Sequence, residues 1–197
     1  GAVALSAVLL LGGLTYRQTG FWKDSETLWS RNLAAAPESV MPHYMLGGAH
    51  YLEAQLSPER RAEELALARA EYERGLEKSP RLNPLFHGMY GALLIDLREH
   101  RKAAELLARV VEVAPEDAIA FTNLGVALRE SGRPGPAAAA GLRAVELDPG
   151  YAKGWMQLAV TRERAGNREG AVEAYQRLLE IWPRYGPAKR KLAELGQ

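Results

Sequence analysis

The sequence contains no cysteine, and its charges nearly cancel, with 25 basic residues against 24 acidic ones. Without cysteine, disulfide frameworks, thiolate zinc sites and cysteine nucleophiles are excluded. With a net charge of +1, the composition gives no electrostatic reason to expect a nucleic-acid partner. β-Branched residues are scarce beside alanine and leucine, which favours helix over sheet. Hydrophobic residues at 47% are enough for a packed core, so the composition predicts an all-α protein.

A motif recurs with a period of about 34 residues along most of the chain. An aromatic residue or a histidine opens each unit, Leu or Tyr follows three residues later, and Gly or Ala comes next. A small residue recurs deeper in each unit, and a proline closes it. The residues at these five positions are His43, His87, Phe121 and Trp155; Leu46, Tyr90, Leu124 and Leu158; Gly47, Gly91, Gly125 and Ala159; Ala68, Ala103, Ala137 and Ala171; and Pro80, Pro115, Pro149 and Pro183, after an earlier Pro37.

Each position has a physical reason in an antiparallel pair of helices. The opening residue and the Leu or Tyr lie on one face of the first helix. The Gly or Ala beside them lets the second helix come close, and the small residue of that helix faces it. Gly132 and Gly166 fall between the helices, where a left-handed residue ends the first one, and each proline stops the second. Such a pair cannot bury its apolar face alone and must stack on neighbours.

The stretch VELDPGYAKGWMQLAVTRERAGNREGAVEAYQRLLEIWP, which begins at Val145, closely resembles the tetratricopeptide-repeat consensus. The resemblance implies an α-solenoid of about four helix-pair repeats, at residues 40–83, 84–117, 118–151 and 152–185. It also implies a protein that binds other proteins or peptides rather than a catalyst.

Two departures from the repeat lead to specific expectations. Arg98 stands where the family usually has glycine, so the turn of the second repeat should be tighter or differently capped. The first repeat carries about nine extra residues, and Ser57 and Pro58 suit the cap and first position of a helix there. We therefore expect the second helix of the first repeat to be about two turns longer than its equivalents.

The sequence also predicts helices on either side of the repeats. Residues 17–39 contain DSETLWSRNLAAAPES, which resembles a second helix without its partner, and they form a half repeat with an interfacial linker before it. Residues 186–197 read as a capping helix whose outer face carries Lys189, Arg190 and Lys191, as the end of a solenoid requires.

The first sixteen residues, GAVALSAVLLLGGLTY, carry no charge. As a helix they would extend about 24 Å, somewhat less than the roughly 30 Å core of a bilayer. Tyr16, Phe21 and Trp22 follow together with Arg17 and Lys23, a mixture typical of the membrane–water boundary. We therefore expect residues 1–16 to be the end of a transmembrane helix. A signal peptide, a buried solenoid helix and a fragment boundary are the alternatives.

The junction between this segment and the repeats has a second resemblance. Trp22, Asp24, Leu28 and Trp29 form a W-x-D-x-x-x-L-W phrase that is similar to the last span and repeat junction of the multi-spanning protein O-mannosyltransferase-like family. The resemblance implies a parent glycosyltransferase that uses a lipid-linked sugar, with its repeats in the periplasm or lumen. The catalytic residues of that family lie in earlier loops, so none can be assigned here.

Residues suited to catalysis or metal binding are few. His43 and His50 lie seven residues apart, whereas a helical metal pair needs a spacing of four and a third ligand. His43 and His87 occupy the bulky packing position of the repeat. No glycine-rich phosphate loop and no G-x-S-x-G elbow occurs. We expect no catalytic site, cofactor or metal. Glutamates alternating with arginines indicate an exposed helix face with i,i+4 pairs: Glu59, Glu63, Glu64, Glu71, Glu73 and Glu77.

The family resemblance implies a concave groove lined by the first helix of each repeat. Tyr44 and Met156 could equally be core residues, and Asn123 could order the groove backbone. The carboxylate clamp of chaperone-binding relatives is incomplete, because only Asn123 and Lys153 match it. The groove candidates are Tyr44, Gly48 and Tyr51; Gly88, Ala92 and Ile95; Thr122, Asn123, Val126 and Arg129; and Lys153, Met156, Gln157, Val160 and Glu163.

Three functions remain open at this point. The first is a membrane-tethered module that binds a peptide or protein partner in its groove, and it is the one we expect. The second is the C-terminal tail of a glycosyltransferase. The third is a scaffold that associates with itself end to end.

Overall fold

A computed structural model describes residues 25–79 and 81–196, and within those ranges the regular structure is entirely α-helical, as predicted. The chain divides into two compact units, one ending at Arg81 and one beginning at Leu82. We call them the N-terminal and C-terminal units. The N-terminal unit contains α1 (Ser25–Ala35), α2 (Met41–Leu56) and α3 (Arg61–Lys78). The C-terminal unit contains α4 (Pro84–Asp96), α5 (His100–Val113), α6 (Ala118–Glu130), α7 (Pro134–Leu147), α8 (Ala152–Arg164), α9 (Arg168–Ile181) and α10 (Gly186–Glu194).

The predicted transmembrane segment at residues 1–16 lies outside the described residues. Among the helices that the structure describes, none combines the length and the apolar character needed to cross a bilayer.

In the N-terminal unit, α2 and α3 form an antiparallel pair, and α1 packs against α2. The extra residues of this pair are shared between both helices, because α2 has 16 residues and α3 has 18, against 13 and 14 in α4 and α5. The expectation of two additional turns in the second helix was therefore wrong. Ser57 ends α2 instead of capping α3, and Pro58 lies in the turn between the helices.

The glutamates of α3 do not all face solvent, which corrects the interpretation of an exposed charged face. Glu64 is 2% exposed and Glu71 is 9% exposed. The Nδ1 atom of His50 lies 2.8 Å from Oε2 of Glu64, and Nδ1 of His43 lies 2.7 Å from Oε2 of Glu71. Each histidine thus meets a buried carboxylate across the helix pair. Spacing along the helix alone did not distinguish these two glutamates from their exposed neighbours.

The C-terminal unit consists of three helix pairs, α4 with α5, α6 with α7 and α8 with α9, followed by the single helix α10. The small residues bring the two helices of a pair together as predicted. A Cβ atom added at Gly91 would lie 2.6 Å from the Leu107 side chain, and one added at Gly125 would lie 3.2 Å from the backbone oxygen of Ala137. Ala103, Ala137 and Ala171 are fully buried.

The helix ends follow signals that are visible in the sequence. The side chain of Asp117 accepts a hydrogen bond from the backbone N–H of Ala120, at 2.9 Å, and so caps α6. Asn83 and Asn167 cap α4 and α9 in the same way. Each second helix of the C-terminal unit ends two residues before a proline, which cannot continue it.

The helices of the C-terminal unit lie closer together on one side of the stack than on the other. Successive first helices contact each other directly, α4 with α6 and α6 with α8. Within residues 82–196, no second helix has comparable contacts with the next second helix. Because the first helices lie nearer to one another, the stack curves with the first helices on its inner side.

The turn inside the second repeat is the same as the turns that contain glycine, so the expectation of a tighter or differently capped turn was wrong. Arg98 has a φ of 63°, against 82° for Gly132 and 75° for Gly166. In each turn the N–H of this residue donates to the carbonyl three residues earlier, and the next N–H donates to a carbonyl five residues earlier. This is the Schellman pattern, and an arginine adopts here the left-handed conformation that favours glycine.

Replacing Arg98 with glycine should stabilise the protein. A left-handed conformation costs an L-residue about 1–2 kcal/mol, and glycine gives back part of this gain through its larger unfolded-state entropy. We expect Arg98→Gly to raise the free energy of unfolding by up to roughly 1 kcal/mol in urea titrations. Gly132→Ala is the matched control and should lower the free energy of unfolding, because alanine is strained at the positive φ of Gly132. No atom lies within 4 Å of a Cβ added there, so a steric clash does not contribute. Equal stability of both variants and the wild type would contradict this account of the turn.

Candidate functional site

The first helices of the C-terminal unit present one stripe of residues each to the inner side of the stack. Positions three, four and seven residues apart share a helix face. We call the inner face the surface formed by six half-buried residues of these stripes. They are Ala92 and Ile95 of α4, Asn123 and Val126 of α6, and Gln157 and Val160 of α8.

Arg129 lies at the end of the α6 stripe and is held by hydrogen bonds within the protein. Its Nη1 atom donates to Oε1 of Gln157 at 2.9 Å and to Oγ1 of Thr161 at 3.2 Å. Its Nη2 atom lies 3.0 Å from Oε1 of Glu130. These contacts join α6 to α8, so Arg129 supports the inner face and its donors are already in use.

Glu130 receives a second arginine from the following repeat, since Nη1 of Arg164 lies 2.8 Å from its Oε1 atom. Burial disfavours the charged carboxylate, but the hydrogen bonds from Arg164 and Arg129 outweigh burial and lower the pKa of Glu130. Glu130 is therefore ionised at neutral pH, and its single negative charge is shared between two guanidinium groups.

Glu163, at the end of the α8 stripe, is also bound internally. Its Oε2 atom accepts a hydrogen bond from the hydroxyl of Tyr175 at 2.9 Å, and Oε1 pairs with Nζ of Lys191 at 2.8 Å. The hydrogen bond from Lys191 is the main cause that lowers the pKa of Glu163. The pair connects α8 to the capping helix α10, which indicates a structural role for Glu163.

Asn123 and Lys153 differ from these residues because their polar groups are not engaged. Neither side chain has a hydrogen bond or ion pair with any residue in the described part of the chain. Asn123 is half-buried on α6, and Lys153 is exposed at the start of α8. Together with the amide nitrogen of Gln157, whose oxygen alone is bound by Arg129, they are polar inner positions at which a ligand would find free donors.

The remaining predicted groove residues are distributed between the core and the surface. Tyr44 is 5% exposed and its ring packs at a tilt against Tyr72, with ring centroids 6.3 Å apart, which favours the packing alternative. Tyr51 is half-buried in the N-terminal unit. Thr122 is 1% exposed, and its hydroxyl donates to the carbonyl of Ala118. Gly48 and Gly88 are half-buried.

Met156 lines a hollow of about 330 Å³ at the edge of the inner face. The hydroxyl of Tyr185 donates to the Met156 sulfur at 3.1 Å, and the ring centroids of Tyr185 and Trp182 are 4.6 Å apart. The hollow is bounded by the start of α8, the end of α9 and the start of α10. Its walls are Ala152, Lys153, Met156, Leu178, Trp182 and Tyr185.

Sequence reasoning missed two exposed apolar residues on the same stripes. Leu85 is 64% exposed and Ile119 is 57% exposed. Each is the second residue of its helix, as Lys153 is in α8, and the three are 34 residues apart. The repeat register that located Lys153 would also have located Leu85 and Ile119.

The histidines at the opening position of the repeat pack within the fold. Nδ1 of His87 lies 2.9 Å from the carbonyl oxygen of Asn83, and burial is the main cause that lowers the pKa of His87. His43 contacts Glu71, as described above. In the described residues, no group of three or more histidine and acidic side chains is arranged to hold a metal ion.

Comparison with protein families gives two matches, both to tetratricopeptide-repeat models. One covers residues 89–152 and the other covers residues 154–185. Among curated proteins, none is significantly similar in sequence to this chain.

Solved structures with the same fold are numerous. YrrB, described as a TPR protein with an unusual peptide-binding site, is 22% identical, covers 93% of this chain and 87% of its own, and gives a TM-score of 0.71. MamA from Desulfovibrio magneticus RS-1 is 21% identical, covers 90% of this chain and 96% of its own, and gives a TM-score of 0.69.

A third structure shows a related domain with a ligand. The first TPR domain of Spaghetti (RPAP3) bound to the HSP90 peptide SRMEEVD is 21% identical, covers 58% of this chain and 90% of its own, and gives a TM-score of 0.55. At these identities the structures establish the fold. With the two family matches they identify residues 89–152 and 154–185 of this chain as tetratricopeptide repeats.

Proposed function

We propose that this chain is a protein-interaction module that binds an extended peptide on the inner face of its C-terminal unit. The observation that carries the proposal is the contrast between two groups of polar residues. Arg129 and Glu163 form hydrogen bonds within the fold, whereas Asn123 and Lys153 on the same stripes are not engaged.

The chemistry of the inner face suits a peptide backbone. The Asn123 amide offers both a donor and an acceptor, which matches the N–H and C=O groups of an extended chain. Val126 and Val160, half-buried beside it, supply apolar contacts. The donors of Arg129 hold Gln157 in place before any ligand arrives, so binding would order few side chains.

Two solved structures of the same fold support the proposal of peptide binding. YrrB is described by its peptide-binding site, and the RPAP3 domain is bound to a peptide. No catalytic role is proposed for any residue of this chain.

Selection of peptides from a displayed random library against the full chain would test the proposal. We expect selected peptides to lose at least about tenfold in affinity for Asn123→Ala and for Gln157→Ala, because each change removes a hydrogen-bonding group from the inner face. Isothermal titration calorimetry on the purified variants measures the loss.

Arg143→Ala is the matched control, since Arg143 is exposed on α7, which is the second helix of its repeat and does not form the inner face. It should leave the affinity unchanged within a factor of about two. Peptides that bind both inner-face variants like the wild type, or that depend on Arg143, would place the binding surface elsewhere.

The membrane tether at residues 1–16 and the parent glycosyltransferase are finer proposals that rest on the sequence alone. A tethered module would float with phospholipid vesicles on a density gradient, and deletion of residues 1–16 would abolish the flotation. Equal flotation of both chains, or of neither, would exclude the tether.

A further inference from the structure

Exposed apolar residues form a ladder where the first helices of the C-terminal unit begin. Leu85 on α4 and Ile119 on α6 expose more than half of their surface. Single exposed apolar residues are common, but these two occupy the same position of neighbouring helices that contact each other. They are therefore one repeat apart along the edge of the inner face.

The hollow beside Met156 continues the ladder into the next repeat. Lys153 occupies on α8 the position of Leu85 and Ile119, and it forms part of the rim of the hollow. Trp182, 52% exposed, and Tyr185 supply aromatic walls, and Leu178 and Met156 supply aliphatic ones. The volume of about 330 Å³ is ample for one large apolar side chain.

The charge around the hollow is positive. Lys153 on the rim has no carboxylate partner among the described residues. Arg184, between Trp182 and Tyr185 in the chain, is exposed and likewise has none there. Glu163 and Glu194 are already paired with Lys191. A ligand carboxylate next to the apolar anchor would compensate Lys153.

The general packing distance of neighbouring helices favours one backbone conformation for the ligand. Neighbouring helices pack with their axes about 8–10 Å apart. A polyproline II segment advances about 3.1 Å per residue with three residues per turn, so every third side chain faces the same way at steps of about 9 Å. A β-strand repeats its side-chain direction every two residues, at about 6.6 Å, and does not fit this spacing.

Building on the proposed function, we infer that the C-terminal unit recognises a polyproline II segment with large apolar residues at every third position and a carboxylate beside the last. The first apolar residue contacts Leu85, the second contacts Ile119, and the third, preferably aromatic, enters the hollow. The acidic residue lies against Lys153.

Two isomeric probes test the inference by calorimetry on the full chain. The first is acetyl-Leu-Pro-Pro-Leu-Pro-Pro-Phe-Glu-amide, which has the three-residue spacing. The second, acetyl-Leu-Pro-Leu-Pro-Phe-Pro-Pro-Glu-amide, has the same composition with a two-residue spacing. We expect the first probe to bind at least about tenfold more tightly, because only its apolar side chains reach all three contacts.

Variants of exposed residues locate the contact. Leu85→Ala, Ile119→Ala and Trp182→Ala should each weaken binding of the first probe about fivefold or more, through lost apolar burial. Leu142→Ala removes an exposed leucine from the second helix α7 and should have less than about a twofold effect. Lys153→Glu should weaken the first probe, and a probe with Lys in place of Glu should regain affinity for that variant.

Equal binding of the two isomers, no binding of either, or an effect of Leu142→Ala as large as that of Ile119→Ala would overturn the inference. If library peptides still depend on Asn123 and Gln157 in that case, the inner-face function stands and only the ligand motif fails. Circular dichroism of each variant confirms that it is folded.

Discussion

The close approach of the two helices inside each repeat is the constraint on which the structure depends. At Gly125 the neighbouring atoms belong to the backbone of α7, at Ala137 and Gly141, so they cannot turn aside as a flexible side chain can. The approach buries Ala137 completely and aligns the pair for stacking. Stacking then places the first helices in mutual contact, and this contact creates the inner face. The surface that we assign to binding is therefore a consequence of a glycine that carries no chemistry of its own.

The positions fixed by packing could be predicted from the sequence, because packing leaves a periodic signal. The recurring Gly and Ala residues, the prolines after the second helices and the capping residue Asp117 all lie where the repeat requires them. The conformation of Arg98 was missed, since the hydrogen bonds of the surrounding turn impose a left-handed φ on a residue that does not favour it. Local propensity predicts a different turn there, and the tertiary arrangement overrides it.

Side-chain pairing is the part that the sequence did not reveal. Glu64 and Glu71 look like members of a charged surface stripe, and only the packing of α2 on α3 shows that histidines meet them in the interior. Arg129 and Glu163 similarly looked like groove residues available to a ligand, but contacts 28 residues away in the chain engage them. Leu85 and Ile119 could have been found from the repeat register. Their exposure could not, because it depends on what the neighbouring repeats leave uncovered.

The most direct measurement of the central claim is the free energy of unfolding of Gly125→Val and Gly135→Val. Gly125 lies inside α6 and Gly135 lies in the first turn of α7, so the gain in helix propensity is larger for Gly125→Val and works against the predicted loss. A side chain at Gly125 meets the backbone oxygen of Ala137, whereas nothing lies within 4 Å of a Cβ at Gly135. The account predicts a loss of roughly 1–3 kcal/mol for Gly125→Val relative to Gly135→Val in urea titrations. Equal stability of the two variants would contradict it.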